Sequence, residues 1–295
     1  FLGAVWINDA LMLAARQAHA LGAKCIYLLY DLTPVLQTGH TAAVNRLFER
    51  YLLLVMETAS SVPAISEASR ADFVAYARQA GFTPPPGNAT GLPCGLKPGQ
   101  FPERTSPWPR PYALFVGTVE SRKNHILALR AWQRLVERHG PANVPDLVCI
   151  GRLGWHAQEF LDEYVRTHGL HGKVSVLSNS VSDAELAAFY ANAEFTVYPS
   201  KYEGWGLPVS ESLAFGKVAV VAYNSSLPEA GGELASYFRS DDVDDFVTVI
   251  ERDALDLEQR HRLEERIRIL YEDVSWNSVA EAIAADIDYA RTTEG

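Results

Sequence analysis

No run of apolar residues in this chain is long enough to cross a bilayer. The longest, such as Tyr51-Leu-Leu-Leu-Val-Met56, fall far short of the roughly 20 residues that a membrane-crossing helix needs. Cysteine is scarce. Cys25, Cys94 and Cys149 are widely separated in apolar surroundings, which excludes a disulfide framework and fits buried thiols in a reducing compartment, so a cytoplasmic location is expected. Positive charge is also short: 26 Lys and Arg against 36 Asp and Glu leave a net charge of -10, which argues against long-range attraction to nucleic acid. A local basic pocket remains compatible with that balance. The eight histidines show no ligand spacing with the cysteines. A Gly-x-Ser-x-Gly elbow and a Gly-x-Gly-x-x-Gly fingerprint are both missing, so zinc, serine-hydrolase and dehydrogenase chemistries lack support. There is no internal repeat and no low-complexity tract.

What is present is an ordinary globular balance, 48% apolar and 21% charged over 295 residues, which suits two packing units. Helical and strand-like runs alternate. A helix over Asn8 to Leu21 precedes the run Lys24 to Tyr30; an amphipathic helix from about Thr41 to Ala59 precedes a short run at Val62 to Ile65; Ser66 then caps a helix to about Ala80. Nine of the 16 prolines lie between Pro84 and Pro111, the composition of a linker. After it, apolar runs at 112–116, 146–150, 173–177, 194–198 and 217–222 alternate with helical segments, the pattern of a doubly wound α/β sheet. Ser182-Asp-Ala-Glu185 is a capping box. The expected organisation is residues 1–105 as one domain with its linker, 106–274 as a second, and 275–295 as a C-terminal helix packing back on the first. Phe1-Leu-Gly-Ala-Val-Trp6 reads like the middle of a fold, so the chain is expected to be a fragment.

Two motifs carry chemistry. Pro199-Ser-Lys-Tyr-Glu203-Gly-Trp-Gly206-Leu-Pro208-Val-Ser-Glu211 follows a strand and runs into a helix, with carboxylates eight positions apart. Doubly wound folds bind ligands where Glu203 would sit, at the carboxyl ends of strands. Gly204 and Gly206 let backbone approach a ligand, and the helix start offers N–H groups to phosphate. The second motif, Phe115-Val-Gly117-Thr-Val-Glu120-Ser-Arg122-Lys123-Asn124-His125, places two cations at a strand-to-helix junction, where the helix dipole alone would disfavour them and a diphosphate would favour them.

These motifs resemble glycosyltransferase family 4, whose members have the GT-B architecture of two Rossmann-like domains. Further matching segments are Tyr30-Asp31-Leu-Thr-Pro34, Ile65-Ser-Glu-Ala-Ser69, Gly151-Arg-Leu-Gly-Trp155, Val181-Ser-Asp-Ala-Glu-Leu186, Ser225-Ser-Leu-Pro-Glu229 and Ser275-Trp276. The resemblance implies a retaining hexose transfer from a nucleoside-diphosphate sugar, GDP-mannose favoured, with no cofactor and no metal ion. It implies that Lys123 and Arg122 hold the diphosphate, Glu203 contacts the donor hexose and Glu211 accepts hydrogen bonds from the ribose. Gly204, Trp205, Gly206 and Leu207 would lie along sugar and phosphate, Gly117 and Thr118 beside the donor, and Gly151, Arg152, Val181 and Leu186 around the base. The first 105 residues would correspond to the closing part of an acceptor-side domain, leaving most of the acceptor site elsewhere. The implied partners are the nucleotide sugar and a glycan or lipid-linked acceptor of polysaccharide synthesis, with peripheral contact at the inner face of a membrane left open.

Two positions depart from the family pattern: Thr118 stands where many relatives have Arg, and Tyr30 where many have His. Asp242-Val-Asp244 and Asp286-Ile-Asp288 imitate the metal-binding Asp-x-Asp of another glycosyltransferase architecture. The first is read as helix-start acids and the second lies on a helix. A sugar-nucleotide epimerase on the same architecture and a non-catalytic nucleotide-sugar-binding module are the alternative readings.

Overall fold

In a computed structural model, residues 5–37, 41–179 and 181–292 are described. Phe1 to Ala4, the start of the presumed mid-fold segment, lie outside them. The chain divides into two compact units, Phe1–Pro93 with Glu203–Trp205 and Val274–Gly295, and Cys94–Tyr202 with Gly206–Asp273. Among the described residues no helix is long and apolar enough to cross a membrane.

In the first unit, polar caps set where the helices begin. The Asn8 side chain accepts from the Ala10 and Leu11 amides and starts Asp9–Ala20, Thr41 starts Ala42–Thr58, and Ser66 Oγ, accepting from the Ser69 amide at 3.0 Å, starts Glu67–Gln79. The run 24–30 was expected as a strand, but its regular part, β1, is only Cys25–Ile26, paired parallel with β2, Ala59–Ser61. Beyond β1 the pairing continues irregularly: the Leu29 amide donates to the Pro63 carbonyl at 2.8 Å and the Ile65 amide to the Leu29 carbonyl at 3.0 Å. Pro63 has no N–H to give, so a full ladder is impossible there. On the other side of residues 62–64, the Val62 and Ala64 amides donate to Pro86 and Asn88. Tyr27, Phe48, Tyr51, Leu52, Val55 and Phe73 form the core over these strands.

The C-terminal helix, Trp276–Thr292, belongs to this unit through a buried carboxylate. Asp286 is 2% exposed and takes hydrogen bonds from Ser61 Oγ at 2.6 Å and from the Asn88 amide and Nδ2. Asp286 is therefore a structural group that satisfies the end of β2.

The second unit is a six-stranded parallel sheet: β3 Tyr112–Val116, β4 Asp146–Ile150, β5 Val174–Leu177, β6 Phe195–Tyr198, β7 Ala219–Ala222 and β8 Ser236–Phe238, in the order β5-β4-β3-β6-β7-β8. The expected runs account for β3 to β7, and β8 is an addition. The sheet order reverses direction between β3 and β6, the switch point where doubly wound sheets bind ligands at the carboxyl ends of the strands. Between strands, the capping box at Ser182 and Glu185 starts Asp183–Asn192, and Asp242, accepting from the Asp244 and Asp245 amides, starts Val243–Val249. The acids at 242 and 244 thus mark a helix start.

The boundary falls at Pro93, not at residue 105, and the hydrogen bonds of the proline-rich segment explain why. The Cys94 amide donates to Asp273 at 2.9 Å. Further on, Trp108 Nε1 and Arg110 Nε both reach buried Asp146, at 2.9 and 2.7 Å, where Lys173 joins them. Residues 94–111 are thereby fastened to the sheet that follows them.

Candidate functional site

Beside the switch point, β3 and β4 do not stop pairing where their regular ladders end. The Gly117 amide donates to the Ile150 carbonyl, Val119 to Arg152, Gly154 back to Val119 and Ser121 to Trp155. Such close backbones leave no room for side chains. A Cβ on Gly151 would overlap the Gly117 carbonyl, and one on Gly154 would strike Thr118. The sequence meets this with glycine at both positions. Lys123 follows in a 3-10 turn, Ser121–Lys123, and its alkyl stem crosses Gly117, with Cδ 3.4 Å from where a Cβ would stand. Asn124, in the left-handed region at φ 63° and held by Asp241 at 2.9 Å, turns the chain into the helix His125–His139.

Arg122 is placed differently from its neighbour. Its guanidinium pairs with Glu120 at 2.7 Å and donates to the Tyr202 carbonyl at 2.7 Å, while its own carbonyl accepts from the Lys201 amide. It therefore stitches the loop after β3 to the loop after β6, and the Lys123 stem lies over the glycine contact.

Glu211 stands one turn into the helix Leu207–Ala214, which begins at Gly206 with φ 121° and carries Pro208 in its first turn. Glu211 is 8% exposed. Tyr190 Oη donates to Oε2 at 2.8 Å, and the backbone N–H groups of Leu96 and Gly95 also bind the carboxylate. A side chain at Gly95 would approach Glu211 Oε1 to 2.9 Å, so this tight seat also depends on glycine. Burial raises the Glu211 carboxyl to about 7 against the lowering pull of these hydrogen bonds, so near neutrality it holds its proton part of the time.

Glu203, Gly204 and Trp205 belong to the first unit. Ser69 Oγ lies 3.0 Å from the Tyr30 carbonyl and 3.4 Å from that of Gly204, and a Cβ on Gly204 would press on Tyr30 and Asp31. The motif segments at Tyr30, Ser69 and Gly204 are thus brought together, with Asp31 Oδ1 accepting from the Thr33 amide at 2.8 Å. Glu203 is 9% exposed. Trp205 is buried against Gly91 and Val274, so its ring serves packing.

The model of the family described as "Glycosyl transferases group 1" matches residues 98–269, more than half of the chain. The chain belongs to the group 1 glycosyl transferases. Among curated members, O-antigen chain mannosyltransferase B of Escherichia coli is 37% identical over 133 residues, covering 45% of this chain and 34% of the relative. An MMP alpha-(1->4)-mannosyltransferase of Mycolicibacterium hassiacum is 38% identical over 112 residues, 37% of this chain and 27% of the relative. The chain thus spans about a third or less of the length of these two relatives. Among solved structures, Anabaena HepE in complex with UDP and glucose superposes with a TM-score of 0.71 at 17% identity, over 95% of this chain and 76% of that one. The fold is that of the GT-B glycosyltransferases.

Within the group 1 fold the remaining expected positions differ in their exposure. Thr118 and Arg152 are exposed beside the Gly117–Gly151 contact, and the Arg152 carbonyl is part of the extended pairing. Val181 and Leu186 pack on the cluster of Leu96, Ile150 and Tyr190, while Leu207 is exposed at its helix start. Tyr190, Gly95 and Leu96 escaped sequence reasoning. Tyr190 was visible only as an apolar-face position of the capped helix, and nothing local marks the amides at 95 and 96 as partners of a carboxylate 115 residues on.

Proposed function

We propose that this chain supplies the donor-binding part of a retaining glycosyltransferase, moving a hexose from a nucleoside-diphosphate sugar to a glycan or lipid-linked acceptor. The observation that carries this reading is the Lys123 stem lying over the Gly117–Gly151 contact, beside the switch point of a group 1 sheet. In the reaction the bond from the anomeric carbon to phosphate oxygen breaks and its electrons leave with the diphosphate. The acceptor hydroxyl oxygen bonds to that carbon and passes its proton to an oxygen of the departing diphosphate. Lys123 offsets the charge gathering on the departing diphosphate, the N–H groups at the start of Leu207–Ala214 add to it, and Glu211 accepts from the nucleoside ribose. Glu203 is assigned to the hexose hydroxyls, a role taken from the family pattern.

Mannose is the favoured sugar and GDP-mannose the favoured donor, because five of the matching relatives are named mannosyltransferases. Metal independence belongs to the same proposal, with Lys123 as the charge that a divalent ion would otherwise provide. Calorimetric titration with GDP, UDP and dTDP tests the reading, with GDP expected to bind tightest. Failure of all three to bind would overturn it. A full-length form should turn over donor in excess chelator; complete loss restored by magnesium or manganese would remove the metal-free part.

A further inference from the structure

Glu211 is a carboxylate with about four hydrogen-bonding sites, and this chain already fills three of them. Tyr190 Oη approaches Oε2 at 2.8 Å from the capped helix Asp183–Asn192, and the amides of Gly95 and Leu96 come from the segment leading into the sheet. Tyr190 itself cannot wander. It is fully buried, and its ring stacks on Phe215 at 5.5 Å, one position beyond the helix that carries Glu211. Gly95 closes the other side, since any side chain there would meet Oε1.

We propose that Tyr190 is a positioning residue for the donor nucleotide: with the Gly95 and Leu96 amides it fixes the Glu211 carboxylate so that its one remaining site faces a ribose hydroxyl. The proposal rests on the reading of this chain as a nucleotide-sugar binder. An acceptor held by three donors loses no rotamer freedom when a ligand arrives, and each of these bonds favours the ionised form that a hydroxyl donor needs. The ionisable groups facing Glu211 are Tyr190, Tyr198, Asp183 and Cys94. None of these side chains carries a positive charge in either of its forms, so hydrogen bonding by Tyr190 and the two amides is what opposes burial at this carboxylate.

Tyr190→Phe removes one of those donors and keeps the stacked ring. GDP affinity is measured by calorimetry between about pH 6 and pH 9 for the wild-type chain, Tyr190→Phe and Glu211→Gln. The range brackets the Glu211 titration near 7. The terminal phosphate of GDP titrates in the same range, so each curve is compared with that of Glu211→Gln. Wild-type affinity should rise with pH through about 7 relative to that reference. In Tyr190→Phe the rise should move to higher pH by roughly one unit, giving a several-fold loss at neutral pH that alkaline pH largely restores. Gly95→Ala, which pushes on Oε1, serves as a second variant and should weaken binding in the same pH-dependent way.

An unshifted curve with an equal loss at every pH would show that Tyr190 only supports the fold and would overturn the proposal. Glu211→Gln binding GDP as tightly as wild type would overturn it together with the ribose contact. Failure of the wild-type chain to bind any nucleotide instead sinks the underlying functional reading.

Discussion

The carbonyl of Gly117 occupies the space into which a side chain on Gly151 would have to project. Two strands of the sheet therefore stay paired past their regular ends only because position 151 carries no Cβ. Gly151→Ala should force the loops apart and cost roughly 1–3 kcal/mol, as overpacking does elsewhere. A thermal scan should show a melting temperature lower by several degrees, and nucleotide binding should weaken with it. A variant that melts with the wild type would mean that the two loops can separate freely.

Asp286 and Ser61 offer a second test. Asp286→Ala removes the acceptor for the Ser61 hydroxyl and for the Asn88 amide and side chain. Charge-assisted hydrogen bonds of this kind contribute about 1.5–3 kcal/mol, and the donors left buried add to the loss. Asp286→Asn keeps an acceptor and should cost less. Limited proteolysis of the C-terminal helix reads the difference, with faster cleavage in the order wild type, Asn, Ala.

Acid should act on the second unit through His125. The ring stacks on Phe115 at 4.1 Å and also meets Phe160, and burial, reinforced by Lys123, pushes its pKa from 6.5 down to about 3. A depressed histidine contributes stability that is complete above about 6.5 and is lost as pH falls toward 3. Glu211, raised from 4.5 to about 7, works the other way: its contribution is complete below 4.5 and lost as pH rises through about 7. His125→Phe keeps an aromatic ring and abolishes the first effect. Melting temperatures from pH 7 down to about 5 should fall less steeply in this variant than in the wild type, because the unfolded chain no longer takes up that proton. Parallel curves would contradict the assignment.

Lys123→Ala should weaken nucleoside-diphosphate binding about tenfold or more, the value of one charge-assisted contact. Glu203→Gln should leave bare-nucleotide affinity nearly unchanged and lower donor turnover in a full-length form, because the interaction removed belongs to the transferring sugar. Equal losses of GDP affinity in the two variants would refute this division.

Much of the architecture was legible because its signals are local. Ser66 and Ser182 cap the helices that they were expected to cap, and the runs beginning at Tyr112 and Asp146 form strands with those bounds. β8 was not, since Ser236-Tyr-Phe238 is too short to carry a period and becomes a strand only by lying beside β7. The proline-rich segment misled for a related reason. Its composition says linker, but Cys94, Trp108 and Arg110 bind partners far along the chain. The same limit applies at the site. Glycines 117 and 151 announce close backbones, whereas the Tyr190 hydroxyl reaches Glu211 only once two helices have packed.

The first unit is written in three separate places, Phe1–Pro93, Glu203–Trp205 and Val274–Gly295, and this sets a timetable for synthesis. Ser61 leaves the ribosome 225 residues ahead of Asp286. At about 5–20 residues per second that delay is roughly 10–45 s, long compared with the folding of a typical domain. Every strand of the second unit is made within the interval, so its sheet can close while the seat for Asp286 still holds water. Docking of the helix Trp276–Thr292 then comes after that sheet has closed, and a nascent chain halted before it would present an unfinished first unit to chaperones and proteases.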